Sequence, residues 1–404
     1  MIQTFIFSIL KRRHFWRYAS FDEVASLYAA RFMRQTATFL VNIFVGVYIY
    51  QMGYTINQIA LFYMCYCLYK AMIGYFVARY VAHFGPKHGM FVANLLNIPA
   101  LLAFSLLEVY GIVALIAFLI FQGSSATLYT QAHNIDFSKV KSAKKAGSEI
   151  GFMYIIDKVT AGLSPLIGGL LAWWLGPQAV LLIASSLYAV AALPLLRTAE
   201  PVKTKQKLRF EGMPWRSTWR SFTSSACAGI DATTTSLLWP LFLAAVLFAG
   251  SDDSVYAKVG GLASISVITT FAASWTFGKI IDRRRGKDLL THATVAVSLA
   301  HLARPLVTTP LSVGLINVIS DASATGSMMA YTRGQYDLAD RTGHRNAYLF
   351  LADLSWNLGM FLMFVIVFII SSFSDDLLTI FTISFVACSL LSLNIMRARF
   401  PLYK

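Results

Sequence analysis

Residues 123–169 read GSSATLYTQAHNIDFSKVKSAKKAGSEIGFMYIIDKVTAGLSPLIGG. The segment leaves one apolar run through a polar helix end, Tyr129-Thr130-Gln131-Ala132-His133-Asn134-Ile135-Asp136. It crosses a basic turn with Lys139, Lys141, Lys144 and Lys145, then enters a second apolar run carrying Asp157-Lys158 and closing in Ser164-Pro165-Leu166-Ile167-Gly168-Gly169. A weaker copy follows downstream. Ser323-Ala324-Thr325 leads to Tyr331-Thr332 and Asp337, a basic turn runs from Arg341 to Arg345, and a further apolar run carries Asp353. Gly147 to Asp157 and Gly343 to Asp353 have the same spacing, so a polar helix end, a basic turn and a helix with a central acid occur twice. A recurrence at fixed spacing signals repeated supersecondary units and governs how the remainder is read.

The surrounding chain has 404 residues, of which 57% are hydrophobic and 13% charged, with a mean hydropathy of +0.61. Soluble domains carry about twice that charged fraction. The apolar residues fall in about twelve runs of the ~20 residues that a helix needs to cross a bilayer. They lie near 28–52, 56–80, 88–108, 111–135, 147–174, 178–197, 219–249, 255–279, 288–308, 310–335, 344–372 and 376–397. The net charge of +15 does not point to nucleic acid, because 28 of the 34 Lys and Arg sit in alternate loops and at the two ends. The intervening loops carry Glu108, Asp252, Asp253, Asp375 and Asp376. This is the positive-inside pattern, and it predicts cytoplasmic termini and an even number of spans. Residues 1–20 place apolar residues before basic ones, the reverse of a signal peptide, and read as an amphipathic cytoplasmic segment. The four cysteines all lie in apolar runs and form neither an extracellular pair nor a metal knuckle.

The expected fold class is therefore an all-α integral membrane protein with twelve transmembrane helices. A basic loop at 198–217 separates an N-terminal six-helix bundle, 21–197, from a C-terminal one, 218–404, and the two are expected to be pseudo-symmetric. A short basic turn recurs between the second and third spans and between the eighth and ninth, as Ala78 to Lys87 and as Gly278-Lys279-Ile280-Ile281-Asp282-Arg283-Arg284-Arg285-Gly286-Lys287. With these features nearly the whole chain resembles the major facilitator superfamily of secondary transporters. Gly278, Asp282, Arg283, Gly286 and Lys287 resemble its signature loop G-x-x-x-D-R-x-G-R-R, with one extra residue before Gly286. In the first-half copy Gly85 and Lys87 fit, whereas Ala78 and Ala82 replace the Gly and the Asp. Gly151, Ser164, Pro165, Gly168 and Gly169 resemble the fifth-helix motif of family antiporters, with Thr160 and Ser164 standing where two of its glycines would be.

Charged residues inside a bilayer are costly and face a cavity or a partner. Asp157, Asp231, Asp321, Asp353, Lys70 and Lys158 lie deep in their spans. Positions three and four apart share a helix face. By that spacing Arg31, Gln35, Thr38 and Asn42 form one stripe, as do Gln122, Ser125, Tyr129, His133 and Asp136. Ser224, Cys227, Asp231, Thr234 and Thr235 form a third, and Asn317, Asp321, Thr325 and Thr332 a fourth. The resemblance assigns these four spans to a central cavity. Asp157 and Lys158 point about 100° apart and need partners on other spans; Lys70 is one candidate for Asp157, and a static interhelical pair is the alternative to a transport role. Asp231 and Asp321 read as working acids, because their own spans supply no buried Lys or Arg and any pairing would cross the cavity. His133 is either a proton relay or a hydrogen-bonded structural residue. Arg31, Arg34 and Arg304 are expected to snorkel towards the membrane surfaces. Asp136 and Asp337, at helix ends, either pair at a gate or are solvated, and Arg283 to Arg285 are expected to reach Asp337 or Asp340.

No phosphate loop, H-E-x-x-H or G-x-S-x-G occurs, which argues against an ATP-driven machine or an enzyme. The expectation is a multi-pass protein of a bacterial-type cytoplasmic membrane, monomeric and without a cofactor. It would move a small-molecule solute by alternating access, coupled to protons. The fifth-helix resemblance leans towards export by antiport; uptake by symport, or a receptor or scaffold that lost transport, are the alternatives.

Overall fold

A computed structural model describes residues 21–41, 45–141, 145–175, 177–197, 204–247 and 255–403. The expected amphipathic segment 1–20, Asn42 and the start of the linker lie outside the described residues. Within them the chain is helical and contains no strand. The long helices are α1 (Phe21–Val41), α2 (Ile56–Phe84), α3 (Pro86–Ser105), α4 (Ile112–Val140), α5 (Ala146–Leu175), α6 (Pro177–Ala192), α7 (Trp215–Leu247), α8 (Val255–Asp282), α9 (Gly286–Ala303), α10 (Pro310–Arg341), α11 (Arg345–Phe373) and α12, whose regular part is Leu377–Ser392. Among the described residues, α2, α3, α4, α7, α11 and α12 are long and apolar enough to cross a membrane.

Helix ends fall where capping chemistry puts them. Thr55 and Thr309 close capping boxes with Gln58 and Ser312, satisfying backbone N–H groups that the first turn leaves open. Gly85, at φ +100°, turns the chain between α2 and α3, and Pro86 opens α3. That φ disfavours any side chain, so the glycine is required by the turn. Helix α7 is interrupted by two wide turns, Thr234–Leu238 and Leu243–Leu247, with Pro240 between them. Each i→i+5 turn rotates the residues beyond it relative to a regular helix.

The early helices pack as α1 on α5 and α6, α4 on α2 and α3, and α3 on α6. The later ones pack as α7 on α11 and α12, α10 on α8 and α9, and α9 on α12. Two broad contacts join the sets, α5 with α8 and α2 with α11. Apolar residues gather in two large clusters. One, at the end of the basic loops, includes Met90, Ile135, Ile150, Ile281, Leu290 and Tyr336. The other includes Ile49, Ile56, Trp239, Phe242, Phe364 and Phe381. The α7–α11 crossing is so tight that Gly229 and Gly359 lie directly against the backbone of the opposite helix. At the basic end the linker is tied down where Lys205 and Gln206 donate their N–H groups to the carbonyls of His83 and Ala82, at 2.8 and 3.0 Å.

Candidate functional site

Asp157 of α5 is gripped by α1. Arg31 donates from Nε to Oδ1 at 2.9 Å and from Nη2 to Oδ2 at 2.6 Å, while Gln35 donates to Oδ1 at 3.0 Å. A planar guanidinium matches a carboxylate through two parallel hydrogen bonds, the strongest geometry available to such a pair. Arg31 also donates to His133 Nε2 at 3.0 Å, and the imidazole stacks between Tyr129 and Phe137. Asp157 therefore pairs with Arg31 and not with Lys70. Arg31 turns inward because a buried carboxylate lies within reach of its fork. Arg34 is buried too, and does not snorkel: it donates to Asn94 Oδ1 and Ser125 Oγ and lies 3.9 Å over the Tyr129 ring.

Lys158, the next residue, points elsewhere and crosses between the helix sets. Its Nζ lies 3.0 Å from Asp321 Oδ1 on α10. The two side chains keep 31% and 18% of their surface accessible, so water and solutes reach the pair. It forms part of the wall of a cavity of about 480 Å³, within the size range of small-molecule sites. Asp157, Lys158, Arg304 and Asp321 line it, with Gln122 and Asn317 as neutral polar groups. Much of the remaining wall is aromatic: Phe39, Phe62, Tyr63, Tyr66, Phe118, Trp239 and Phe364. Gln122 accepts from the Tyr66 hydroxyl, and Asn317 Oδ1 accepts from the Trp239 indole at 2.8 Å.

Asp231 has a different setting. His301 Nε2 lies 2.6 Å from its Oδ1, and Arg304 Nη1 lies 2.9 Å from His301 Nδ1. A guanidinium can only donate, so Nδ1 accepts and the ring proton sits on Nε2, facing Asp231. The expected cross-cavity partner is thus replaced by an Arg304–His301–Asp231 chain, in which the His301 and Asp231 side chains keep 0% and 4% accessibility. Cys388 lies beside them, but Arg304 already supplies the positive charge of this cluster. Arg304 is 1% exposed, so it does not snorkel outward; Thr235 and Ser320 accept from its Nη2 at 3.2 and 3.1 Å. The α7 stripe is also divided. Ser224 donates to the Asn394 carbonyl beyond α12, whereas Thr233, Thr235 and Ser236 line the cavity. Ser224 and Thr235 share a face by regular spacing but lie about three turns apart, so the stripe meets different neighbours at different depths.

Asp353 lies at the α2–α11 seam, outside the cavity lining. Gln131 of α4 donates to its Oδ2 at 3.1 Å and to the Gly74 carbonyl at 3.3 Å. Lys70 lies 5.3 Å from the Tyr66 ring centre.

At the basic end Asp282 caps α5. It accepts from the N–H groups of Gly147 and Ser148 at 2.9 and 3.2 Å and from Ser148 Oγ at 2.5 Å. A carboxylate at a helix N-terminus is favoured by the unsatisfied amides and by the helix dipole. Nearby, Asn134 of α4 accepts from the Tyr336 hydroxyl of α10 at 2.8 Å. The arginines of the same loop do not reach the acids expected for them. Asp337 pairs with Arg341 in its own helix, Asp340 pairs with Arg345 and Lys141, and Arg285 pairs with Asp288. Cations four and five residues away, Arg341 and Arg345, and Lys141 at the end of α4 reach these acids instead. Gly286 sits against the Tyr403 ring, Lys87 and Asp136 are buried, and Gly278 packs on Gly147. In the fifth-helix motif, Gly151 lies against Ser274 of α8, Gly168 lies against Leu40 of α1, and Ser164 is buried. The side chains of Pro165 and Gly169 lie outside the described residues.

The family model for the Major Facilitator Superfamily matches residues 27–364. The chain belongs to this superfamily. Solved members share its fold at low identity. A bacterial homologue of the iron transporter ferroportin, in its outward-facing state, superposes with a TM-score of 0.69 at 15% identity over 93% of this chain and 98% of its own. The E. coli fucose:proton symporter superposes with a TM-score of 0.65 at 15% identity over 93% and 97%. No curated protein matches the sequence. Within this superfamily fold, spacing missed His301 and the inward role of Arg304. They are three positions apart, so they share a face of the chain leaving α9, and that pairing was the available signal.

Proposed function

We propose that the chain is a proton-coupled secondary active transporter of a small organic solute. Twelve spans would form two pseudo-symmetric bundles, 21–197 and 218–404, that rock about the midplane cavity. Superfamily membership and the packing of α5 on α8 and α2 on α11 support this reading. The observation that carries it is the Lys158–Asp321 pair. It joins the two sets of helices, lies in the cavity wall and is reached by solvent. Protonation of Asp321 releases Lys158, which links proton occupancy to the contact that must change as the bundles move. The direction suggested by the fifth-helix motif is export; uptake is the second reading, favoured by the donors described in the next subsection.

Asp321→Asn is expected to fold and insert, to abolish accumulation driven by a pH gradient, and to retain gradient-free exchange. The solute for this assay comes from screening compounds for thermal stabilisation of the purified protein. Wild-type pH dependence in the Asn variant would remove Asp321 from coupling, and the absence of any saturable hit would favour the scaffold reading.

Asp282 is proposed as a cytoplasmic latch, since it ties α8 to the start of α5. Asp282→Asn loses the charge that favours this cap. A cysteine placed at Asn134 should then react several-fold faster with an impermeant thiol reagent from the cytoplasmic side. An unchanged rate would mean that the cap has no latch role.

A further inference from the structure

Hydrogen-bond capacity around the cavity is unbalanced. The acids are engaged: Asp157 accepts three hydrogen bonds from Arg31 and Gln35, and Asp321 holds Lys158. The cations are not saturated. Lys158 has three donors and spends one on Asp321, with no other acceptor among the described residues. Arg304 spends Nη1 on His301 and Nη2 on Thr235 and Ser320, while its buried Nε–H has no acceptor. Both residues line the cavity. Two cations beside the cavity thus retain unused donors. A buried donor without a partner is costly, so the site favours a ligand that brings an acceptor.

We propose that the cavity binds an amphipathic organic monocarboxylate, whose carboxylate takes the place of Asp321 on Lys158 and offers an acceptor to Arg304, while its apolar body lies among Phe62, Tyr63, Phe118 and Phe364. This rests on the transporter reading and gives it a substrate class. The charges balance. A proton moves onto the Asp321 carboxylate, the Lys158–Asp321 ion pair breaks, and Lys158 forms a new pair with the incoming carboxylate. One proton and one anion enter together, so the step is electroneutral and makes the protein a symporter. With an inward proton gradient the direction is uptake, against the export that the fifth-helix motif suggests. The other groups at this end leave the assignment intact. Asp157 is held by Arg31, Asp231 by His301, and α7 presents the uncharged Thr233, Thr235 and Ser236.

The test uses the full-length protein in detergent with three probes of matched body: 3-phenylpropionate, 3-phenylpropionamide and 3-phenylpropylamine. Thermal stabilisation and equilibrium binding are measured between pH 5.5 and 7.5. The carboxylate alone should stabilise the protein, and its Kd should rise by up to about tenfold per pH unit because one proton is taken up on binding. Lys158→Gln should weaken it by about tenfold or more, the loss expected for a charge-assisted hydrogen bond. Asp321→Asn, whose side chain is nearly isosteric, should bind it with little pH dependence, which separates a ligand effect from misfolding. Stabilisation by the amine alone would overturn the anion assignment and leave the transporter reading standing. Carboxylate binding unchanged in Lys158→Gln would overturn the assignment to this site. The absence of stabilisation by all three probes would overturn the class, while gradient-driven transport of a different solute would still decide the transporter reading separately.

Discussion

Asp157→Ala is expected to lower the unfolding free energy by about 3–5 kcal/mol, the cost of removing one partner from a largely buried ion pair. Its carboxylate accepts both arms of the Arg31 fork and the Gln35 amide. Truncation leaves a guanidinium in the membrane interior with His133 as its remaining hydrogen-bond partner in this cluster. Thermal unfolding of the purified variant in detergent should show the loss directly. Arg31→Met with Asp157→Leu should recover most of it, because an apolar pair of similar volume carries no desolvation penalty. If Asp157→Ala melts like the wild type, water already compensates the charge and the pair does not hold α1 to α5. Loss of stability with full recovery in the double variant would identify a static interhelical pair. Recovery of stability without recovery of transport would assign the pair to the transport cycle.

Gly359→Ala is expected to be damaging as well. A Cβ at this position would lie 1.8 Å from the Ala226 carbonyl oxygen of α7, and one at Gly229 would lie 2.2 Å from the Trp356 carbonyl oxygen of α11. Both obstacles are backbone atoms, so no side chain can rotate away and the two helices must separate. Overpacking of a fitted core costs about 1–3 kcal/mol and sometimes more, and a backbone clash belongs at the upper end. Helix association in a bilayer relies on such close approach of small residues. The monodisperse yield and the melting temperature of Gly359→Ala should both fall. Gly314→Ala is the control: its Cβ meets nothing within 4 Å, and alanine in a helix is favoured over glycine by up to about 1 kcal/mol. Equal behaviour of the two variants would mean that the α7–α11 crossing is looser than described.

Much of this protein is legible in its sequence because membrane insertion is a one-dimensional problem. Hydrophobic length, the alternation of basic and acidic loops and the repeated basic turns depend only on residue order, and they led to the superfamily to which the chain belongs. Gln122, Lys158, Asn317 and Asp321 were legible as cavity candidates, since a polar group amid apolar neighbours must face something other than lipid; all four line the cavity. Partner choice was not. Which cation reaches Asp157, whether Asp231 meets Lys158 or His301, and whether Arg304 turns outward or inward depend on helix rotation and crossing angle. These are set by packing among residues far apart in sequence. In α7 a shared face also did not mean a shared site, because Ser224 meets Asn394 while Thr235, about three turns on, lines the cavity. A charge in an apolar run shows from sequence that a partner is required, because burial without one is too costly; only the tertiary structure decides which partner it is.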